Sequence, residues 1–220
     1  MAVWHVAKYG AFGRTSTEAQ DNAKMVYSTL NALGWTLEAV CGVLGNVESE
    51  SGYNPWRWQG DNVLNSYDDY LIDNQLGHAY GLVQFDPAGK YIRNATGIGG
   101  YGPNFNNRVG SSFDGQAQLT YINDHADYIP RPDLGYPLTY SQYKTVSISD
   151  YTIAYITRTW FTNYERGTWD DGRIYAAEYW WAYLNGWDPP APPDPPPPMP
   201  PGGRRIPIWL LFKLKERNEI

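Results

Sequence analysis

A mostly helical α+β domain with one polar insertion after its second helix is predicted by three observations. Two early stretches repeat apolar residues at helical spacing across a short break at Gly34. From Trp56 to about Phe85 that spacing disappears and Asn, Asp, Gly and Tyr dominate. Three further helical stretches follow before the chain turns proline-rich at residue 188.

Thr15-Ser-Thr-Glu18 has the form of a capping box, and Ala19, Ala23, Val26, Tyr27, Leu30 and Leu33 then form one stripe that ends at Gly34. Thr36 can cap a second helix whose stripe is Leu37, Val40, Cys41, Leu44 and Val47, closed by Gly52 and Pro55. Two helices joined this tightly should form an αα hairpin. The segment from Trp56 to Phe85 reads as a long loop or a small irregular β-hairpin, and loops of that length are usually functional. Residues 94–112, rich in Gly and Asn, read as a second loop. Helices are expected around 113–127, 149–164 and 171–185, with Ser112, Ser149 and Asp170 as caps.

With 220 residues and 42% hydrophobic content, residues 1–187 can enclose one sizeable core. Residues 188–203 should be an extended polyproline linker. Residues 204–220, basic at the ends and apolar in the middle, suit docking to a partner or contact with an anionic membrane surface, and are too short to span one. A net charge of −6 and pI near 5.0 exclude a general nucleic-acid binder, which needs clustered Lys and Arg. The first ten residues do not form a secretory signal, and no window is apolar enough for a membrane span. Cys41 stands alone and reads as a small core residue. His5, His78 and His125 are far apart, so neither a metal nor another cofactor is expected. The run Gly97 to Gly102 lacks the strand and helix that a phosphate-cradling loop requires.

The chemistry concentrates at the end of the second helix. A Glu held against apolar neighbours loses solvation of its charged form, so its pKa rises and it can donate a proton near neutral pH, as glycosidic cleavage requires. Regular helical spacing puts Glu48 nearer the middle of the apolar stripe and Glu50 at its flank, although Ser49, Ser51 and Gly52 allow the last turn to distort. Asp61, Asp68, Asp69, Asp73 and Asp86 all lie in or beside the insertion, and spacing does not choose among them as a second carboxylate. Trp56, Trp58, Tyr67, Tyr70 and Tyr80 could stack on sugar faces or pack in the core.

Glu50-Ser-Gly-Tyr-Asn-Pro55 and Gly81-Leu-Val-Gln84 resemble the Glu-Ser-x-x-Asn-Pro and Gly-Leu-x-Gln signature of lysozyme-like muramidases and lytic transglycosylases. With Gly34-Trp-Thr, Ala39 to Asn46, Gly81 to Ala88 and Tyr164-Glu-Arg166, the chain more closely resembles the phage-tail-type lysozyme domain over roughly residues 4–185. The resemblance implies a two-lobed lysozyme-like fold with a groove that takes the glycan strands of peptidoglycan. It gives the acid's role to Glu50 rather than Glu48, which is left a structural or pKa-tuning role, and it has Gln84 hydrogen-bond the sugar or its N-acetyl group. Tyr80, Phe85, Trp58 and Tyr164 become candidate substrate-binding residues. The sequence departs from related domains at Phe85 and Asp86, where they commonly read Trp-Thr, and at Gly167, where they read Pro. Asp86 thereby becomes a candidate second carboxylate. Glu165 can pair with an Arg or line the groove. Hydrolysis and transglycosylation both remain open, as does a non-catalytic glycan-binding module. The setting implied is a virion or the host cell wall, as tail lysin or endolysin, with phage tail proteins as candidate partners of the C-terminal tail.

Overall fold

The computed structural model describes residues 2–7, 10–61, 78–88, 91 and 114–187. The domain is mostly helical. Helix α1 spans Thr17–Ala32 and is capped by Ser16, whose hydroxyl accepts from the Ala19 amide. The cap thus falls one residue later than the expected capping box, and Glu18 sits in the first turn, where a negative charge suits the helix dipole. Helix α2, Leu37–Ser51, starts at Thr36 as expected: the Thr36 hydroxyl accepts from the Ala39 amide and donates to the Val146 carbonyl. It ends at Gly52, in the left-handed region at φ 55°, where a Cβ would collide with Ala11.

Helix α3 spans Asp114–His125, and Ser112 lies outside the described residues. Helix α4, Tyr140–Lys144, has a capping box of Thr139 and Gln142. Helix α5, Ile153–Trp160, is capped by Thr152 instead of Ser149, because the chain between them makes a turn in which the Tyr151 amide donates to the Ser147 carbonyl. A π turn, Phe161–Glu165, continues α5 and stops at Arg166. Helix α6 spans Gly172–Leu184 with Asp171, one residue after the expected Asp170, at its N-cap position and without a side-chain cap bond, while the Asp170 carboxylate accepts from the Gly172 amide at 2.9 Å.

Helix α2 is the axis of the core. It is buried from Ala39 to Val47 and packs most extensively on α6, then on α5. The α2–α6 contact is close because Gly45 faces the Arg173 backbone and Ala177 with no side chain between them. Trp35, Tyr143 and Trp160 pack edge-on or tilted around one end. Near Gly52, Tyr53 meets Trp180, whose indole N–H donates to the Tyr53 hydroxyl at 2.7 Å. Cys41 is fully buried, and burial pushes its thiol pKa up, which makes it an inert core residue.

The N-terminal segment is strapped to this core by two buried amides. Asn22 accepts from the His5 amide and donates to the His5 and Tyr53 carbonyls. Asn54 accepts from the Ala7 amide and donates to the Ala7 and Gly10 carbonyls.

The expected β-hairpin is represented, among the described residues, by isolated antiparallel bridges, Trp58 with Tyr80 and Tyr80 with Phe85, and by one 3-10 turn at Gln59–Asp61. Tyr67, Asp68, Asp69, Tyr70 and Asp73 lie outside the described residues, as do the Gly97–Gly102 run, the proline linker and residues 204–220. Among the described residues no helix is long and apolar enough to cross a membrane.

Candidate active site

The turn that carries Gln84 is built onto α3. Gln118, buried on that helix, accepts from the Leu82 amide at 2.7 Å and donates to the Pro55 carbonyl at 2.7 Å. Gly81 permits this approach, since its φ is 89° and a Cβ would meet the Gln118 amide. Beneath the turn, Asp114 accepts from the Tyr80 hydroxyl at 2.5 Å and the Tyr91 hydroxyl at 2.8 Å. Gln84 itself has φ 46° and donates its side-chain N–H groups to the Arg57 and Gly81 carbonyls. With the amide nitrogen tied to backbone, its carbonyl oxygen is the end left to accept from a ligand.

A cleft of about 340 Å³ opens beside this turn. Val83, Gln84, Phe85 and Asp86 form one wall, while Tyr164, Glu165 and Arg166 form the other. Tyr121, His125 and Asp127 complete the lining. Gln84 and Arg166, one from each wall, are two of the three described non-glycine residues with positive φ. Such conformations persist where surrounding structure over-determines them, and they cluster at functional sites. Single π turns share that tendency.

Of the residues singled out in the sequence, Gln84, Phe85, Asp86 and Tyr164 come together in the cleft. Asp86 is exposed, while Phe85 stacks on Tyr91 at 4.9 Å. Trp58 and Tyr80 do not reach the cleft: Tyr80 is fully buried and Trp58 nearly so, and the two rings pack on each other at 4.6 Å. Both rings belong to the hydrophobic core.

The two carboxylates at the end of α2 have separate surroundings, because residues two apart on a helix point to different sides. Glu48 is held by both nitrogens of the Arg14 fork, at 2.6 and 2.5 Å, and by the Tyr53 hydroxyl at 2.5 Å. The apolar cage that helical spacing suggested for it is therefore absent. Glu50 accepts from Arg173 at 2.8 Å, and Arg173, nearly buried, also donates to the Asn46 side chain at 3.0 Å. Glu50 thus has an ion-pair partner, and it is not among the residues lining the cleft.

For Glu165 the sequence left two roles open, pairing with an Arg or lining the groove, and it lines the cleft. Among the described residues no Arg forms an ion pair with it, and the neighbouring Arg166 turns away at φ 57° and holds the Asp127 carboxylate at 3.0 Å and the Asp127 carbonyl. Glu165 accepts instead from the Trp160 indole N–H at 2.9 Å. Burial first, and then the negative charge of Glu50, push its pKa up to about 8. Both influences favour the protonated form of the carboxyl. Trp160→Phe removes a donor that favours the ionised form, so the Glu165 titration should move further up; carbon-13 NMR of the side-chain carboxyl checks the direction.

The phage tail lysozyme family matches residues 21–184 of the chain. A curated relative, morphogenesis protein 1 of Bacillus phage B103, is 38% identical over 71 residues, which cover 32% of this chain and 17% of that protein.

Proposed function

Because the chain belongs to the phage tail lysozyme family, we propose that its domain cleaves the β-1,4 bond between N-acetylmuramic acid and N-acetylglucosamine in peptidoglycan, with Glu50 essential to the reaction. The observation that carries this reading is the convergence, on one cleft, of the Gln84 turn and of Glu165, whose carboxyl feels the charge of Glu50. Two neighbouring carboxyls suit a glycosidase, which must protonate a leaving oxygen and stabilise positive charge on the ring. In this reading Glu50, at the end of α2, delivers the proton to the leaving oxygen. The Gln84 carbonyl oxygen suits an N-acetyl N–H across the cleft, and Tyr164 and Phe85 supply ring edges to the sugar. Asp86 remains a candidate second carboxylate on the Gln84 wall. Residues 188–203 serve as a spacer and residues 204–220 as a docking element toward a larger phage assembly.

Digestion of purified sacculi by the full chain, with fragments read by mass spectrometry, tests the reaction. Reducing ends mean hydrolysis and 1,6-anhydro ends mean transglycosylation, while intact strands mean a binding module and defeat the proposal. Glu50→Gln should lower turnover about 100-fold or more, in the range that a positioned acid or base contributes.

A further inference from the structure

We propose that the surface running from Ile129 through Leu134, Tyr136, Tyr155 and Tyr151 to Ile148 is a second glycan-binding site, a track that holds a peptidoglycan strand by its uncharged sugar faces outside the cleft. The inference rests on glycan as the substrate and extends its contact with the domain.

Ile129, Leu134 and Ile148 are 46%, 54% and 47% exposed, and they are three of the six large apolar side chains that stand exposed among the described residues. All three fall on this one stretch of chain. Apolar side chains scattered singly over a surface need no explanation, whereas a group of them beside aromatic rings marks an interaction site. The rings here are half-buried. Tyr151 and Tyr155, four apart where α5 begins, stack at 4.9 Å with 12° between their planes, and Tyr136 leans on Tyr155 at 5.4 Å.

Hydrogen bonds fix this platform before any ligand arrives. Arg131 and Tyr136 exchange two backbone bonds at 2.9 Å, which close the turn that carries Leu134, and the Tyr155 hydroxyl donates to the Gly135 carbonyl at 3.1 Å. Buried Asn163 ties the segment down from below. Its side-chain amide donates to the Tyr136 carbonyl at 3.1 Å, and its backbone carbonyl accepts from the Ile129 amide at 2.9 Å. Little ordering is left to oppose binding.

The same Asn163 lies in the π turn that places Tyr164 and Glu165 in the cleft, and Asp127, two residues before Ile129, lines the cleft itself. The track therefore begins at the cleft wall. From Phe161, where the π turn starts, α5 leads back to Tyr155 over about 9 Å, so a strand too long for the cleft has this surface beside it. Charge plays little part here, because Arg131 is already paired with Asp133 at 2.8 Å. A chain of net charge −6 also gains nothing from long-range attraction to strands whose stem peptides end in carboxylates. Contact must come from apolar area and ring faces, which suit the CH faces of linked hexosamines.

The test uses the full chain carrying Glu50→Gln as parent, so that strands are bound and not consumed, with NMR signals of the isoleucine methyls and the Gln84 side-chain amide as readout. Two probes are compared: a peptide-free tetrasaccharide of the glycan, and long peptide-free glycan strands. Long strands should shift both the Gln84 amide and the Ile129 and Ile148 methyls, whereas the tetrasaccharide should shift Gln84 alone. Adding Tyr151→Ala should weaken long-strand binding about 10-fold and tetrasaccharide binding less than about 2-fold. Tyr151→Phe, which keeps the ring, should bind like the parent. Leu134→Ser, at an exposed side chain, should also weaken long-strand binding and guards against misfolding of Tyr151→Ala. Methyls that stay still while Gln84 moves overturn the proposal, as does a Tyr151→Ala variant that binds long strands as tightly as the parent. Methyl shifts that follow protein concentration instead of strand would make the surface a contact between copies, which also overturns it. If the methyls move while Gln84 does not and wild type leaves sacculi uncut, the reaction reading falls and the track stands; no shift at either place overturns both.

Discussion

Gly45→Val is expected to prevent stable folding, or to leave a domain that melts far below wild type. The reason lies in the α2–α6 contact. A Cβ on residue 45 would overlap the Arg173 carbonyl oxygen and come within 2.8 Å of the Ala177 Cβ and 3.1 Å of its amide nitrogen. These are mostly backbone atoms, which cannot swing aside as a flexible side chain can, so relief requires the helices to separate. Separation would loosen Val43, Leu44 and Val47, all buried on α2, and Trp180 on α6. Overpacking of this kind costs about 1–3 kcal/mol where side chains can adjust and more where they cannot. Against a typical domain stability of roughly 5–15 kcal/mol, that is a large fraction. Calorimetry checks it, and a variant that melts within about 2 °C of wild type would show that the contact is looser than the distances imply.

Arg173→Met should be the second most damaging change, and the more informative one. It leaves Glu50 without its cation beside the Glu165 carboxyl, and it removes the Arg173 bond to Asn46. Breaking a buried pair on one side costs roughly 3–5 kcal/mol. The Glu50 side chain keeps 22% exposure, so the lower end of that range applies. A drop of about 3 kcal/mol corresponds to roughly 6–12 °C in melting temperature for a domain of this size. Arg173→Lys should recover little of it, because one ammonium cannot serve Asn46 and Glu50 together as a planar fork does. Adding Glu50→Gln to Arg173→Met should restore much of the loss, since the unpaired charge disappears with it. If the double variant is no more stable than Arg173→Met, the ion pair is not what holds these helices, and stacking of the Arg173 guanidinium on the Phe161 ring is.

Legibility of this chain followed the range of the interactions involved. Helices α1 and α2 announce themselves because a helical stripe, a cap and a glycine stop are all local. Helix α4, at five residues, is too short to show a stripe, although its Thr139 and Gln142 box was there to be read. The start of α5 was displaced because Ser147, Ser149 and Thr152 are all plausible caps, and tertiary packing selects Thr152. In the site, Glu50 and Gln84 were visible through their motifs. The partner of Glu50 was not, since Arg173 lies 123 residues away. Glu165 was legible as an ion-pair or groove residue, without a choice between the two. The π turn with its left-handed exit sends the Glu165 side chain to Trp160 and that of Arg166 to Asp127, a choice that no local pattern shows.

The amide straps at Asn22 and Asn54 bear on where this domain starts. The family match opens at residue 21, yet the chain from His5 to Gly10 supplies backbone partners to both asparagines, and Arg14 supplies the cation for Glu48. Recognisable ancestry and the folding unit therefore have different borders. A boundary drawn at residue 21 would strip hydrogen-bonding partners from Asn22 and Asn54 in the interior and strand Glu48 beside the helix that carries Glu50.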